Sequence, residues 1–289
     1  MMDRRGLPER RETMVQQEFA LHDGDFRKIA NLVMQTTGIV VSDRKRAFIS
    51  GRLGRRLRTL GMSSFSEYCR LLESSDGDSE RLMLVNAITT NHTAFFREPH
   101  HFDILVKNLL PTIAAAQGSR NGRLRIWSAG CSTGEEPHTL AMVLCEHRAL
   151  LPGWDIKILA TDLDTNVVAH ATAGVYDADR LKTIPTALLK KYVEVQPDGS
   201  GVMDDAVRSL ISFAPLNLLE AWPMKGPFDI IFCRNVVIYF DKPTQRRLFD
   251  RQAELLKPDG WLIVGHSESL LNVTDRFQLV GRTTYRRIK

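Results

Sequence analysis

Arg125-Ile126-Trp127-Ser128-Ala129-Gly130-Cys131-Ser132-Thr133-Gly134-Glu135-Glu136-Pro137 decides how this chain folds. An apolar strand breaks into a loop of small residues with two glycines and re-emerges as a helix. Such a unit brings backbone N–H groups and a helix N-terminus close to a ligand, because glycine lets the main chain approach unobstructed. A phosphate-binding loop leaves that place open to an anion. Here Glu135 and Glu136 occupy the first helical turn, where they suit the helix dipole and repel phosphate. The loop therefore reads as one wall of a pocket for a nucleotide-like ligand that carries positive charge.

The next apolar run, Asp155–Asp162, reads as a second buried strand ending in an acid. An acid at that place in a doubly wound fold commonly binds ribose hydroxyls, which assigns Asp162; its neighbour Asp164 reads as a helix cap. S-adenosylmethionine, with its sulfonium and ammonium groups, matches this combination better than NAD or ATP.

Composition bounds the alternatives. The 289 residues allow one large domain or two unequal ones, and 43% hydrophobic with 25% charged residues is ordinary for a globular protein. No apolar run approaches the roughly 20 residues that span a bilayer. Arg4-Arg5 and Arg10-Arg11 are followed by no apolar stretch, so no secretory or twin-arginine signal is expected. Four scattered cysteines without C-x-x-C spacing point to reduced thiols in the cytoplasm and no zinc site. His100 and His101, adjacent on a helix, should point apart, so no metal site is expected. The net charge of +5 suits an acidic partner.

Residues 1–18 lack periodicity and read as a mobile arm. Phe26, Ile29, Leu32 and Val33 recur at helical spacing up to Gly38. A second helix, capped by Ser42-Asp43, runs to Leu60 with Ala47, Ile49, Leu53, Leu57 and Leu60 as its apolar stripe. Seven basic residues and no acid lie between Arg44 and Arg58. Lys45, Arg52, Arg55 and Arg56 fall in one arc away from most of the stripe. A merely solvated face mixes signs, because like charges at i,i+3 and i,i+4 repel. An unrelieved cationic arc reads as a docking surface for something acidic. Ser64 and Glu67 stand in capping-box spacing for a third helix, and 74–79 reads as a linker.

In the loop Thr89–Phe102, Pro99 suits a helix start, and Arg97 can pair with Glu98 or clamp a substrate carboxylate. Residues 176–212 leave the strand–helix rhythm. Two strand-like segments, 191–195 and 206–211, flank the turn Gln196–Gly201, and Ile211–Ala214 rejoins the main sheet. Phe228–Cys233 is a buried strand, and 277–280 with 284–288 form a terminal hairpin around Gly281-Arg282. The fold class is α/β, a doubly wound, mostly parallel sheet with an antiparallel C-terminal hairpin, preceded by a small all-helical domain.

The runs Thr90–Phe102, Trp127–Pro137, Ala160–Asp164, Phe213–Leu219, Phe228–Asp241 and Leu255–Glu268, in this order, resemble the CheR-type chemoreceptor methyltransferases. The resemblance covers nearly all of residues 25–289. It implies a Rossmann-like class I methyltransferase sheet, with residues 19–76 as a receptor-docking domain and 77–289 as the methyltransferase domain carrying the insertion. The implied reaction moves the methyl group of S-adenosylmethionine to chemoreceptor glutamates, leaving S-adenosylhomocysteine. Implied cofactor positions are Asn91, Thr93, Arg97, Glu135, Asp162, Asn217, Leu218, Arg234 and Asn235. Polar residues just after sheet strands line the ligand crevice of such folds, which fits Asn217 and Asn235, although Asn217 alone reads as a turn residue. Arg97 and Tyr239 match active-site positions and would orient the substrate carboxylate.

The implied partner is the acid-rich cytoplasmic helical bundle of chemoreceptors, met by Lys45, Arg52, Arg55 and Arg58. In some members the β-insertion also grips a receptor C-terminal peptide with arginines. Here Val202–Arg208 holds two acids and one arginine, so tethering is not expected. Neither nucleic-acid binding nor direct membrane insertion is expected, and a monomer is the default state. A nucleic-acid methyltransferase is the enzymatic rival, but no amino-methylation motif, no Pro-Cys dipeptide and no aromatics interleaved with the basic run support it. A non-catalytic S-adenosylmethionine-binding adaptor is the other alternative; Arg97 and Tyr239 argue against lost activity.

Overall fold

The computed structural model describes residues 19–118 and 121–289; the expected mobile arm, 1–18, lies outside the described residues. Four helices precede the sheet: α1 (Asp23–Thr37), α2 (Arg46–Leu60), α3 (Phe65–Glu73) and α4 (Asp78–Ile88). Gly61 closes α2 in the left-handed region, φ 66°, which a residue without Cβ adopts at no steric cost. At α3, Ser64 Oγ accepts the Glu67 N–H at 3.2 Å, while the Glu67 carboxylate accepts the N–H of Ser63 instead of Ser64. The capping box is thus closed one residue early.

The chain folds into two compact units. The first comprises Val41–Ile88 with the described residues up to Asn31; the second comprises Leu32–Val40 and Thr89–Lys289. Phe26, Ile29, Ile49, Leu53, Leu57, Phe65, Tyr68 and Leu72 form the core of the first. Its centre also holds a charge: Glu80 of α4, 4% exposed, accepts Arg56 Nε at 2.8 Å and the Tyr68 hydroxyl at 2.8 Å. Burial, with Glu80 as neighbour, pushes the Tyr68 phenol far up. These bonds group α4 with α2 and α3, whereas the reading of 74–79 as a linker put α4 with the sheet. They also remove Arg56 from the cationic arc. Ala47, expected in the apolar stripe, is exposed, and Ile49, Leu53 and Leu57 carry the burial.

In the second unit, α5 (His100–Ile104) and α6 (Leu110–Gln117) lead into β1 (Arg123–Ala129), α7 (Glu135–Glu146), β2 (Asp155–Asp162) and α8 (Thr165–Ala173). The insertion follows: β3 (Val175–Tyr176), α9 (Ala178–Leu181), α10 (Thr186–Tyr192), β4 (Val193–Val195), β5 (Gly201–Met203) and α11 (Asp205–Arg208). The chain then returns through β6 (Ile211–Pro215), β7 (Phe228–Cys233), α12 (Lys242–Leu255), β8 (Leu256–Val264), β9 (Phe277–Gly281) and β10 (Thr284–Arg287). The main sheet has the order β6-β2-β1-β7-β8-β10-β9, with only β10 antiparallel to its neighbours.

Burial on both faces explains why β7 reads as a continuous apolar run from Ile230 to Cys233. Ile230 and Phe232 enter one hydrophobic cluster, shared with Leu140 and Leu144 of α7; Ile231 and Cys233 enter the other, shared with Leu248 and Phe249 of α12. The strand order reverses between β1 and β7, and ligands of open α/β sheets bind outside the carboxyl ends at such a point.

Two expectations change in detail. The insertion is a three-stranded antiparallel sheet, β3-β5-β4, in which Gly201–Met203, and not 206–211, pairs with β4. Asp204 accepts the Ala206 N–H at 2.8 Å and caps α11, so 205–208 is helical. Strand β8 runs from Leu256 to Val264. Among the described residues no helix is long and apolar enough to cross a membrane.

Candidate active site

The loop after β1 is built against the end of β2. The N–H groups of Gly130 and Cys131 both bond Thr161 O, at 2.8 and 2.9 Å, and the Gly134 N–H bonds Cys131 O at 3.0 Å. The Ser132 N–H donates to Asp162 Oδ2 at 2.7 Å. These four donors are committed inside the protein and are not open to a phosphate, and the Glu135 and Glu136 carboxylates stand beside the rest of the turn. Gly130, at φ 83°, allows contact with Val236 after β7; a Cβ there would lie 2.3 Å from Val236 Cγ2.

The two first-turn carboxylates each have a partner that the sequence reading did not name. Glu135, fully buried, receives Thr133 Oγ1 at 2.6 Å and an ion pair from Arg180 of α9. Glu136 receives Ser128 Oγ at 2.8 Å and Arg234 Nη1 at 2.9 Å. Each glutamate therefore has its own guanidinium, and the selectivity of the wall rests on shape and hydrogen bonding more than on net negative charge.

Asp162 stands at the carboxyl end of β2 with Oδ1 on the Asp164 N–H and Oδ2 on the Ser132 N–H. Burial pushes its carboxyl up, against the pull of those two N–H groups. Each oxygen retains capacity for a hydroxyl donor. Asp164, 3% exposed, caps α8 through Asn166 N at 2.9 Å, as read from the sequence. Its other oxygen receives Thr89 Oγ1 and Asn91 Nδ2 at 2.9 and 2.8 Å, and Ser132 Oγ donates to Asn91 O at 3.0 Å. Asn91 is thereby fixed beside the glycine loop. Thr93 lies half-buried in the same segment.

Arg97 lies between two residues with positive φ, Phe96 at 55° and Glu98 at 56°, a costly backbone for side chains that carry a Cβ. Its Nη1 donates to His92 O at 2.9 Å. The Arg97–Glu98 pairing considered from sequence is absent, because Glu98 is taken by His266, at 2.9 Å, with Arg234 3.6 Å away. Burial pushes the Glu98 carboxyl up, but His266 and Arg234 outweigh it and hold the group low. His100 and His101, expected to diverge, have ring centroids 4.1 Å apart. With Glu98 they could offer ligand atoms within 4.8 Å of one another. The carboxylate of that cluster already faces the Arg234 cation.

Strand β7 delivers Arg234 and Asn235 to the same crevice. Arg234, 6% exposed, spans Glu136 and the main-chain oxygen of Arg97. Asn235, at φ 59°, is locked by Glu268, a residue assigned no role from sequence. The 4% exposed Glu268 carboxylate accepts the N–H groups of Gly265, Asn235, Val237 and Ile238 at 2.6, 2.8, 2.9 and 3.3 Å. It thereby fixes the turn that carries Tyr239, whose carbonyl accepts Val40 N at 2.9 Å. The only advance signal of Glu268 was an acid three residues after Gly265, the glycine that follows β8.

Asn217 is used as a turn residue: Oδ1 accepts Leu219 N at 3.0 Å, and Nδ2 donates to Thr36 O and to Glu220. Leu218 is 8% exposed and belongs to the same hydrophobic cluster as Trp127.

Known proteins are similar to this chain in sequence. Residues 91–286 match the family model described as the CheR methyltransferase, SAM binding domain, and residues 24–89 match the CheR methyltransferase all-alpha domain. The chain is 43% identical to the chemotaxis protein methyltransferase of Escherichia coli over 277 residues, 93% of this chain and 92% of that protein. It is 42% identical to chemotaxis protein methyltransferase 2 of Pseudomonas aeruginosa, across 93% and 95% of the two chains. The corresponding figure for the Borreliella burgdorferi chemotaxis protein methyltransferase is 39%, across 85% and 88%. A sheet that reverses between β1 and β7, a glycine loop closed to phosphate, and matches spanning both units lead to one conclusion: the chain belongs to the CheR methyltransferase family.

Proposed function

We propose that the crevice between the ends of β1, β2 and β7 binds S-adenosylmethionine, and that the enzyme esterifies glutamate side chains of chemoreceptors there. The convergence of the glycine loop, Asp162, Asn91 and Arg234 at the reversal of the sheet is the observation that carries this reading. Asp162 is suited to accept ribose hydroxyls. Asn91, Thr93, Glu135, Leu218 and Asn235 complete the wall, with Arg97 at its rim and the buried Arg234 behind it. Asn217 acts through the main chain of its turn, since its side-chain amide is already engaged.

When bound, the cofactor supplies an electrophilic methyl group on its sulfonium. A substrate glutamate, with an ordinary pKa of about 4.3, is already ionised at neutral pH, so no side chain has to act as its base. What remains for the protein is positioning and exclusion of water. Arg97 is assigned the carboxylate, which a guanidinium meets with two parallel N–H donors, and Tyr239 the second orienting contact. An arginine bound too tightly would dull the nucleophile, so the role is orientation.

Docking is assigned to α2. Arg52, Arg55 and Arg58 are exposed and Lys45 half-buried, while Arg56 is excluded by its bond to Glu80. Phe48, 38% exposed with the Arg52 guanidinium 4.5 Å from its ring centroid, adds an aromatic anchor inside the basic run, correcting the reading that no aromatic is interleaved there. Transfer of labelled methyl from S-adenosylmethionine to purified chemoreceptor, released by mild base as an ester, tests the function. A base-stable product or no transfer would refute it.

A further inference from the structure

The insertion supplies two polar contacts to the back of the cofactor loop. Tyr176, fully buried on β3, donates its hydroxyl to Thr133 O at 2.7 Å. Gly134, at φ 95°, leaves room for it: a Cβ there would lie 2.7 Å from the Tyr176 hydroxyl oxygen. One turn further along the chain, Arg180 Nη1 donates to Thr133 Oγ1 at 2.8 Å and to Glu135 Oε1. Thr133 Oγ1 in turn donates to Glu135 Oε2 at 2.6 Å. Thr133, Glu135 and Arg180 form a closed triangle, and two of its corners belong to the loop and helix start facing the crevice. Glu135 is fully buried, so without Arg180 its charge would stand with a single hydroxyl for partner.

We infer that Arg180 is a positioning residue for methyl-donor binding: the insertion, through Arg180 and with Tyr176 behind it, holds Thr133 and Glu135 in the geometry that receives the cofactor. This rests on the placement of the cofactor against Glu135 proposed above. The Asp177 carboxylate, 3.6 Å from Arg180 Nε, steadies the guanidinium from its solvent side. The insertion is accordingly part of the cofactor site as well as an appendage to the sheet. An Arg180 defect should appear in cofactor affinity and leave the transfer step itself largely intact.

The test titrates S-adenosylhomocysteine calorimetrically into the full chain and its variants Arg180→Met, Arg180→Lys, Tyr176→Phe, Glu135→Gln and the double variant Arg180→Met/Glu135→Gln. Steady-state methylation of chemoreceptor is measured in parallel. Arg180→Met is expected to weaken binding and raise the cofactor KM at least tenfold, with kcat changed less than threefold and the receptor KM unmoved. Lysine should restore part of the affinity, and Tyr176→Phe should weaken it severalfold. The double variant should bind no worse than the weaker single, because both changes open the same triangle. Wild-type affinity in Arg180→Met, or a loss confined to kcat, overturns the proposal. If Glu135→Gln itself leaves affinity unchanged, the cofactor placement fails as well; if Glu135→Gln weakens binding and Arg180→Met does not, only the role of Arg180 falls.

Discussion

Arg234 Nη2 donates to the main-chain oxygen of Arg97 at 2.5 Å, while Nη1 of the same guanidinium holds Glu136 at 2.9 Å. One buried side chain thus joins the end of β7, the first turn of α7 and the loop bearing the residue assigned to the substrate. Replacing Arg234 by Met leaves Glu136 without its cation, a loss that costs about 3–5 kcal/mol when a buried pair is broken. Chemical denaturation should show that loss, with turnover at least a hundredfold lower. A variant with wild-type stability would show the guanidinium to be dispensable.

Arg97→Ala should separate chemistry from binding. The side chain bonds within the protein only to His92 O among the contacts described, so the loop should keep its path. Turnover is expected to fall at least a hundredfold with S-adenosylhomocysteine affinity within about threefold, a difference confined to the transition state. Wild-type turnover would remove Arg97 from the mechanism.

Glu268→Gln places an NH₂ group where two backbone N–H groups now find an oxygen. Leaving buried donors unsatisfied costs about 1–3 kcal/mol each, so urea unfolding should show a loss of about 3 kcal/mol and a lower kcat. An unchanged midpoint would mean that the turn holds itself.

Reversing Lys45 and Arg55 together should raise the receptor KM about tenfold and flatten its salt dependence, with cofactor binding unaltered. Arg56→Glu belongs to another class. It confronts the buried Glu80 with a second carboxylate and should destabilise the protein by about 3–5 kcal/mol. Equal effects of the two on docking and stability would dissolve that distinction.

Acid should unfold the protein partly through its histidines. Burial, aided by the nearby Arg234 charge, depresses His101 to about 3, and burial depresses His138 to about 4. Unfolded, both bind a proton near pH 6.5. The unfolded state therefore holds more protons in that window, and stability present above pH 6.5 is lost as pH falls towards 4 and 3. His101→Gln should reduce the slope of stability against pH between 6.5 and 3; an unchanged slope would mean that His101 takes up its proton in the folded state.

Strand β7, the helix cap at Asp164 and the terminal hairpin were legible in the sequence because each is written in a short window. The 206–211 segment misled because Val207, Leu210 and Ile211 look strand-like, whereas Asp204 outside that window starts a helix. Arg180 could not be found from spacing, since its partner Glu135 lies 45 residues away and no local pattern joins them. Glu268 escaped because its four partners are main-chain N–H groups, which every residue but proline carries. Glu135 and Asp162 were singled out for the opposite reason: acids at the edges of a glycine loop and a strand end are rare enough to stand out.

The saturated amides of Gly130, Cys131, Ser132 and Gly134 bear on the catalytic cycle in time. Each turnover must exchange spent product for fresh donor, and these four N–H groups take no part in the exchange. Their hydrogen-exchange protection should be the same with the pocket empty or filled. Equal protection in the two states would mean that ligand exchange leaves this stretch of main chain unmoved; a change in protection would show that the loop opens during exchange.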